Sequence, residues 1–200
     1  EIPQGWVVQS SDGQTAKDDI DWVARSPERP FSRAFQSCPR YCSPQLLQDP
    51  LHVARGYSAA QFTSHQQAVV ASLGQLAQEV KLLKWGVKQP LTDLFRRLNQ
   101  QLAQTFSAMN LGQAEITVYD CLAQANLEGT PVLVALVAGI QSLTINGGFS
   151  GQLAAWRVTL RGWCAEPTHF VADSPVLERI SASMQLTPAF LRRIAQGNEQ

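Results

Sequence analysis

Between residues 114 and 165 the chain spells out extended structure in three successive runs. The last, AAWRVTLRGW at 154–163, alternates cleanly: Trp156, Val158 and Leu160 fall on one side, Arg157, Thr159 and Arg161 on the other. A period of two marks a strand with one face against a core. The first run, AEITVYDCLA, sets Ile116 and Val118 against Thr117, Tyr119 and Cys121, with β-favouring residues on both sides. Between them lies VLVALVAGIQSLTI, apolar and partly β-branched. LEGTP and NGG are turn sequences that separate the runs. An antiparallel sheet of three or four strands is expected over 114–165. The middle run at 132–138 suits a strand or a buried helix equally, since periodicity does not separate the two in so short a run.

Helical spacing dominates the preceding segment. Val69, Leu73, Leu76, Val80 and Leu83 recur at alternating steps of four and three, which predicts one helix over 58–86 with a single apolar seam. Gly86 and Pro90 end it. Pro90 then opens a second helix with the stripe Leu91, Leu94, Phe95, Leu98, Leu102, Phe106 and Met109. At the far end of the chain, Asp173 or Ser174 caps one helix, and Thr187 and Pro188 begin another that closes at Gly197. The fold class expected is therefore α+β: a helical hairpin, a three- to four-stranded antiparallel sheet and a C-terminal helix pair. Residues 1–56 carry Pro27, Pro30, Pro39, Pro44 and Pro50 and predict an irregular arm. Trp6, Trp22, Phe31, Phe35 and Tyr41 predict that this arm is ordered against the rest. The divisions expected are 1–56, 57–112 and 113–200, the last two forming one unit.

Charge narrows the function classes. Lys plus Arg and Asp plus Glu number 16 each, so the net charge is zero, and charged residues are only 16% of the chain. Such a chain has no general attraction to nucleic acid or anionic membrane. Few repulsions favour association, so a protein partner or a homo-oligomer is expected. The longest apolar run, 131–140, is about half of a membrane span. The chain starts EIPQGW without Met, which suits a processed secreted or periplasmic form, or an excised fragment of a cytoplasmic one.

The cysteines carry the remaining chemistry. Cys38 and Cys42 are separated by three residues, and Cys121 and Cys164 sit singly in expected strands. A zinc ribbon needs two short knuckles and finds one. A thioredoxin-type pair needs two intervening residues, not three. Disulfides among Cys38, Cys42, Cys121 and Cys164 are expected in an oxidising compartment, with Cys121 and Cys164 placed to bridge strands; in a reducing one all four are buried thiols. GGFSGQ at 147–152 lacks the second Gly of a nucleophile elbow, and the three histidines mark no triad. No phosphate-binding glycine fingerprint occurs. No catalytic residue, metal ligand or cofactor is expected.

Two resemblances suggest functions. LERISASMQLTPAFLRRIAQGN, residues 177–198, resembles the helix-turn-helix of Cro- and phage-repressor-type regulators, with Ile180, Met184, Leu186, Leu191 and Ile194 holding the two helices together. That resemblance implies DNA contacts from Thr187, Arg192, Arg193 and Gln196. Ser181 and Gln185 depart from it, standing where those regulators favour Ala and Gly. The heptad-like segment followed by IQSLTINGG and WRVTLRGW resembles the periplasmic part of type IV pilus or type II secretion platform proteins. It implies a coiled coil and a small α+β domain used in assembly. The leading expectation is a non-enzymatic interaction or assembly module of a bacterial envelope, pilus or secretion complex. It would dock partners through the helices of 65–109, with the seam Val69, Leu73, Leu76, Val80 and Leu83, or through an exposed sheet edge. The rival is a DNA-binding regulator using 174–197.

Overall fold

The computed structural model describes residues 3–10, 21–61, 63–108, 112–146 and 152–183. In chain order the elements are β1 (Val7–Ser10), β2 (Trp22–Arg25), β3 (Arg33–Ser37), β4 (Arg40–Cys42), a 3₁₀ turn (Pro44–Gln48), α1 (Pro50–Ala54), β5 (Tyr57–Ala59), α2 (His65–Leu73), β6 (Gln78–Val87), α3 (Gln89–Leu98), α4 (Gln100–Ala108), β7 (Gly112–Leu127), β8 (Thr130–Asn146), β9 (Gln152–Ala165) and α5 (Phe170–Ser183). Among the described residues the strands form one nine-stranded sheet in the order β1-β2-β3-β9-β8-β7-β6, with β4 also on β9 and β5 on β4. Every pairing is antiparallel except that of β4 with β5.

β8 is the spine. It pairs with β7 from Gly112↔Ile145 to Leu127↔Thr130, and with β9 from Leu133↔Ala165 to Asn146↔Gln152. The turn before it holds Glu128 and Gly129 at φ +55° and +88°, the twist that a two-residue hairpin demands. The alternation read at Trp156, Val158 and Leu160 is present and places all three in the core. Their face continues through Val134, Leu136, Ala138 and Ile140 of β8 and Cys121 and Ala123 of β7, and α2 covers it with Val69 and Leu73. Ser64 caps α2 by accepting the Gln67 N–H at 3.2 Å. The opposite face buries Trp163 and Ala165 with Trp22, Ala24 and Ala34 under Leu177 and Ile180 of α5. Apolar side chains on both faces of β8 explain the unbroken run at 132–138. That run is strand.

The expected fold class is corrected in two places. The helical hairpin does not form, because the segment expected as one helix is α2, a turn and then strand β6. The true period of β6 is two, with Val80 and Leu82 packed on the core. A register shift between Leu82 and Lys84 then moves the next core residue to Trp85. That extra residue hides the alternation and completes a false spacing of three and four. Second, among the described residues the sheet has nine strands rather than three or four. Among the described residues of 1–56, β2 and β3 extend the sheet from the Leu160–Cys164 half of β9, and β4 takes the Ala155–Arg157 half. The prolines stand at the joints, Pro39 between β3 and β4, Pro44 and Pro50 at the starts of short helical turns. Of the C-terminal helix pair only α5 falls within the described residues; 184–200 lie outside them.

Gly162 sets how closely β8 and β9 approach. A Cβ at this position would lie 2.2 Å from Ala135 O and 2.6 Å from Leu136 Cβ. Gly162→Ala should therefore lower stability by about 1–3 kcal/mol, the usual cost of overpacking. Gly86→Ala on β6, where a Cβ meets nothing within 4 Å, should change it by less than about 0.5 kcal/mol. Paired urea denaturations test this, and equal effects at the two sites would refute it.

Candidate functional site

β6 accompanies β7 only from Asn126 to Tyr119 and then ends, leaving the beginning of β7 without a strand on that side. α3 takes over this edge with polar groups. The Lys88 N–H donates to Val118 O at 2.8 Å, the Val118 N–H donates to Thr92 Oγ1 at 3.0 Å, and Arg96 Nε donates to Ile116 O at 3.2 Å. Positions 88, 92 and 96 are one helical turn apart and share a stripe. Thr92 is fully buried there and returns its own hydroxyl proton to Val118 O at 3.3 Å. The helix thus supplies what a tenth strand would supply, and backbone groups that would otherwise go unsatisfied are bonded.

With one stripe committed to β7, Leu91 of α3 is half-buried and lines a cavity over the sheet with Phe95, Val118 and Val137, while Leu94 and Leu98 are left exposed. Leu94, Phe95 and Leu98 are 41%, 39% and 69% exposed. On the strand that precedes them, Leu83 and Val87 are 48% and 51% exposed. β6 and α3 lie end to end along one margin of the sheet, so these five side chains belong to one border. The border carries Lys81, Lys84, Lys88, Arg96 and Arg97 against Glu79, Asp93, Glu115 and Asp120, a basic excess of one. Lys88 is paired with Asp120 at 2.8 Å.

An aromatic cluster fixes β6 from behind. Trp85 stacks on Tyr119 with ring centroids 4.0 Å apart, and the Tyr119 hydroxyl is hydrogen-bonded to His65 Nδ1 at the start of α2. Burial lowers the His65 pKa, with Glu115 opposing in part, and burial raises that of Tyr119. Both shifts favour the neutral forms, which suit a hydrogen bond between ring nitrogen and phenol.

The residues expected to bind a partner are not brought together. Val69 and Leu73 are buried beneath α2, Val80 packs on the same core from β6, and Leu76 lies in the intervening turn, 38% exposed. Only Leu83 reaches the border. The α3 stripe was legible as apolar but reads as hairpin packing; its signal is a lone Thr amid it, a polar residue where a helix core has none. The coiled coil implied by the resemblance to secretion platform proteins is absent, because 78–87 is strand. Thr187, Arg192, Arg193 and Gln196 lie outside the described residues. Ile180, expected to hold the helix-turn-helix together, is buried against the sheet beside Trp22 and Trp163.

The expected disulfides are not formed: all four cysteines are free and buried. Cys121 lies opposite Leu136 and Cys164 opposite Val134, so β8 stands between them. Two strand spacings are about 9.6 Å, beyond the roughly 7 Å that a disulfide spans between Cα atoms. Cys42 pairs with Ala155, toward the other end of β9 from Cys164. Among the described residues no group of three or more His, Cys, Asp or Glu side chains is arranged to hold a metal ion. No described helix is long and apolar enough to cross a membrane. The chain matches no known protein-family model, and no curated protein shows significant sequence similarity to it.

Burial pushes the Cys121 thiol from 9.0 up to about 12, with Asp120 adding to the shift, and the Cys164 thiol up to about 11. Above pH 9 the unfolded chain releases these protons while the folded chain keeps them. The native state then binds more protons, so stability falls as pH rises toward 11 to 12. Each such thiol contributes a slope of about 1.4 kcal/mol per pH unit. Urea unfolding at about pH 8 and about pH 10.5 should show a smaller loss for Cys121→Ala than for the wild type. Intact mass should be unchanged by reductant, and a shift of one disulfide would refute the free-thiol state.

Proposed function

We propose that this chain is a non-enzymatic protein-interaction module that docks an extended segment of a partner along the β6–α3 border. The observation that carries this reading is the row of exposed apolar side chains, Leu83, Val87, Leu94, Phe95 and Leu98, on one basic sheet margin. An edge strand offers backbone N–H and C=O groups to an added strand, and neighbouring pockets give that addition its specificity. Bulges and lysines commonly protect such edges from indiscriminate pairing. β6 has both, with Glu79 at φ +52° and two register shifts, and its stretch from Lys84 to Val87 is regular.

Charge selects the partner. Two copies of β6 paired antiparallel about their centre would set Lys81 of each copy against Lys84 of the other, and opposed like charges destabilise a ladder. An acid-bearing extended segment avoids this and gains from the same lysines. Its apolar residues would rest on Leu94 and Leu98, the kind of exposed anchor from which interfaces draw most of their energy.

Selection of a displayed random peptide library on the whole chain tests the reading. Recovered peptides should alternate apolar and acidic residues. They should lose about tenfold or more in affinity for a Leu94→Glu, Leu98→Glu double variant, while Leu51→Glu, an exposed leucine on α1, binds as the wild type does. Peptides that bind all three proteins equally would overturn it.

A further inference from the structure

Where β2 and β3 lie beside the Cys164 end of β9, next to the turn of the β7–β8 hairpin, the core-bearing face of the sheet is only partly roofed. A pocket of about 490 Å³ lies there, floored by Phe35, Val134 and Cys164 and covered by Leu73 and the turn that leads into β6. That volume falls within the range of small-molecule sites. Arg25 and Arg33 both line it. They stand directly opposite each other on antiparallel strands, an arrangement in which like charges repel.

The two arginines are treated differently. Arg33 is satisfied: its Nη2 meets Glu128 Oε1 at 3.0 Å and its Nε donates to Pro30 O at 2.7 Å. Arg25 has no ion-pair partner among the described residues, and its Nε is buried with no hydrogen-bond partner. Asn126, which also lines the pocket, has its Oδ1 buried and equally unpartnered. Buried polar atoms are nearly always bonded, so two exceptions bordering one apolar pocket call for a common cause. Cys164 on the floor remains a neutral thiol and adds no charge.

We infer that this pocket binds a small amphipathic anion, with an apolar body over Phe35, Leu73 and Val134, an anionic head on Arg25, and a hydrogen-bond donor facing Asn126. The anion would relieve the Arg25–Arg33 opposition and supply both missing partners. The site is separate from the β6–α3 border and does not depend on that reading.

Two fluorescent probes test the inference on the whole chain. One is 8-anilinonaphthalene-1-sulfonate, an aromatic body with one sulfonate and one N–H. The other is N-phenyl-1-naphthylamine, the same body without the sulfonate. The sulfonate should bind saturably at one site, about tenfold or more tighter than the neutral probe at low salt, and the margin should shrink in about 1 M NaCl. Arg25→Gln should remove the preference and leave neutral-probe binding unchanged. Equal affinities in the wild type, or sulfonate binding untouched by Arg25→Gln, would overturn the inference. Should the variant lose both probes, the wild-type comparison still decides: a salt-sensitive preference for the sulfonate sustains the site, and its absence removes it.

Discussion

Most of this molecule hangs on the double ladder of β8. One strand of 17 residues gives hydrogen bonds to a long neighbour on either side, and both of its faces carry apolar side chains. A strand of period two admits no slip of one residue without turning every core side chain outward. The Glu128–Gly129 turn sets the register at one end, and the Gly162 contact holds β8 and β9 at close range. From that frame follow the two covered faces, the pocket beyond the end of α2, and the margin where β6 gives way to α3.

The sheet solves its edge problem in an unusual manner. Strand β6 protects part of β7, and a helix protects the remainder by bonding to its backbone through Thr92, Lys88 and Arg96. A helix recruited in this way has its polar stripe turned inward, so Leu94 and Leu98 are left to the solvent side. Exposed hydrophobic side chains on α3 are thus a product of how the edge is closed, and they sit where a recognition surface is most readily built.

How far the sequence was legible depended on local regularity. The strands containing Ile116–Cys121 and Trp156–Arg161 alternate without interruption and were readable as strands. β6 was not, because the extra residue at Leu83 shifts its phase and its apolar residues fall into a helical spacing with those of α2. β2, β3 and β4 are each 3 to 5 residues long, too brief to show a period, and their pairing with β9 is set by contacts distant in sequence. The border was half legible: the apolar stripe of α3 was visible, but its direction was not, since that is decided by Thr92 and a backbone edge more than twenty residues away. The pocket was illegible, because Arg25, Arg33 and Asn126 meet only through the sheet.

The pairing of β3 with the last strand carries a consequence for the order of assembly. Arg33 lies opposite Cys164, so β1, β2 and β3, which pair with one another, cannot join the rest of the sheet until β9 has been made. Contacts this distant in sequence form slowly, because a long loop must close before they return any stability. During synthesis β7, β8 and β9 can zip by successive hairpins as they emerge, whereas Trp22, Ala24 and Ala34 have no complete surface to cover until β9 is made. Of the described strands, those earliest in sequence complete their docking last.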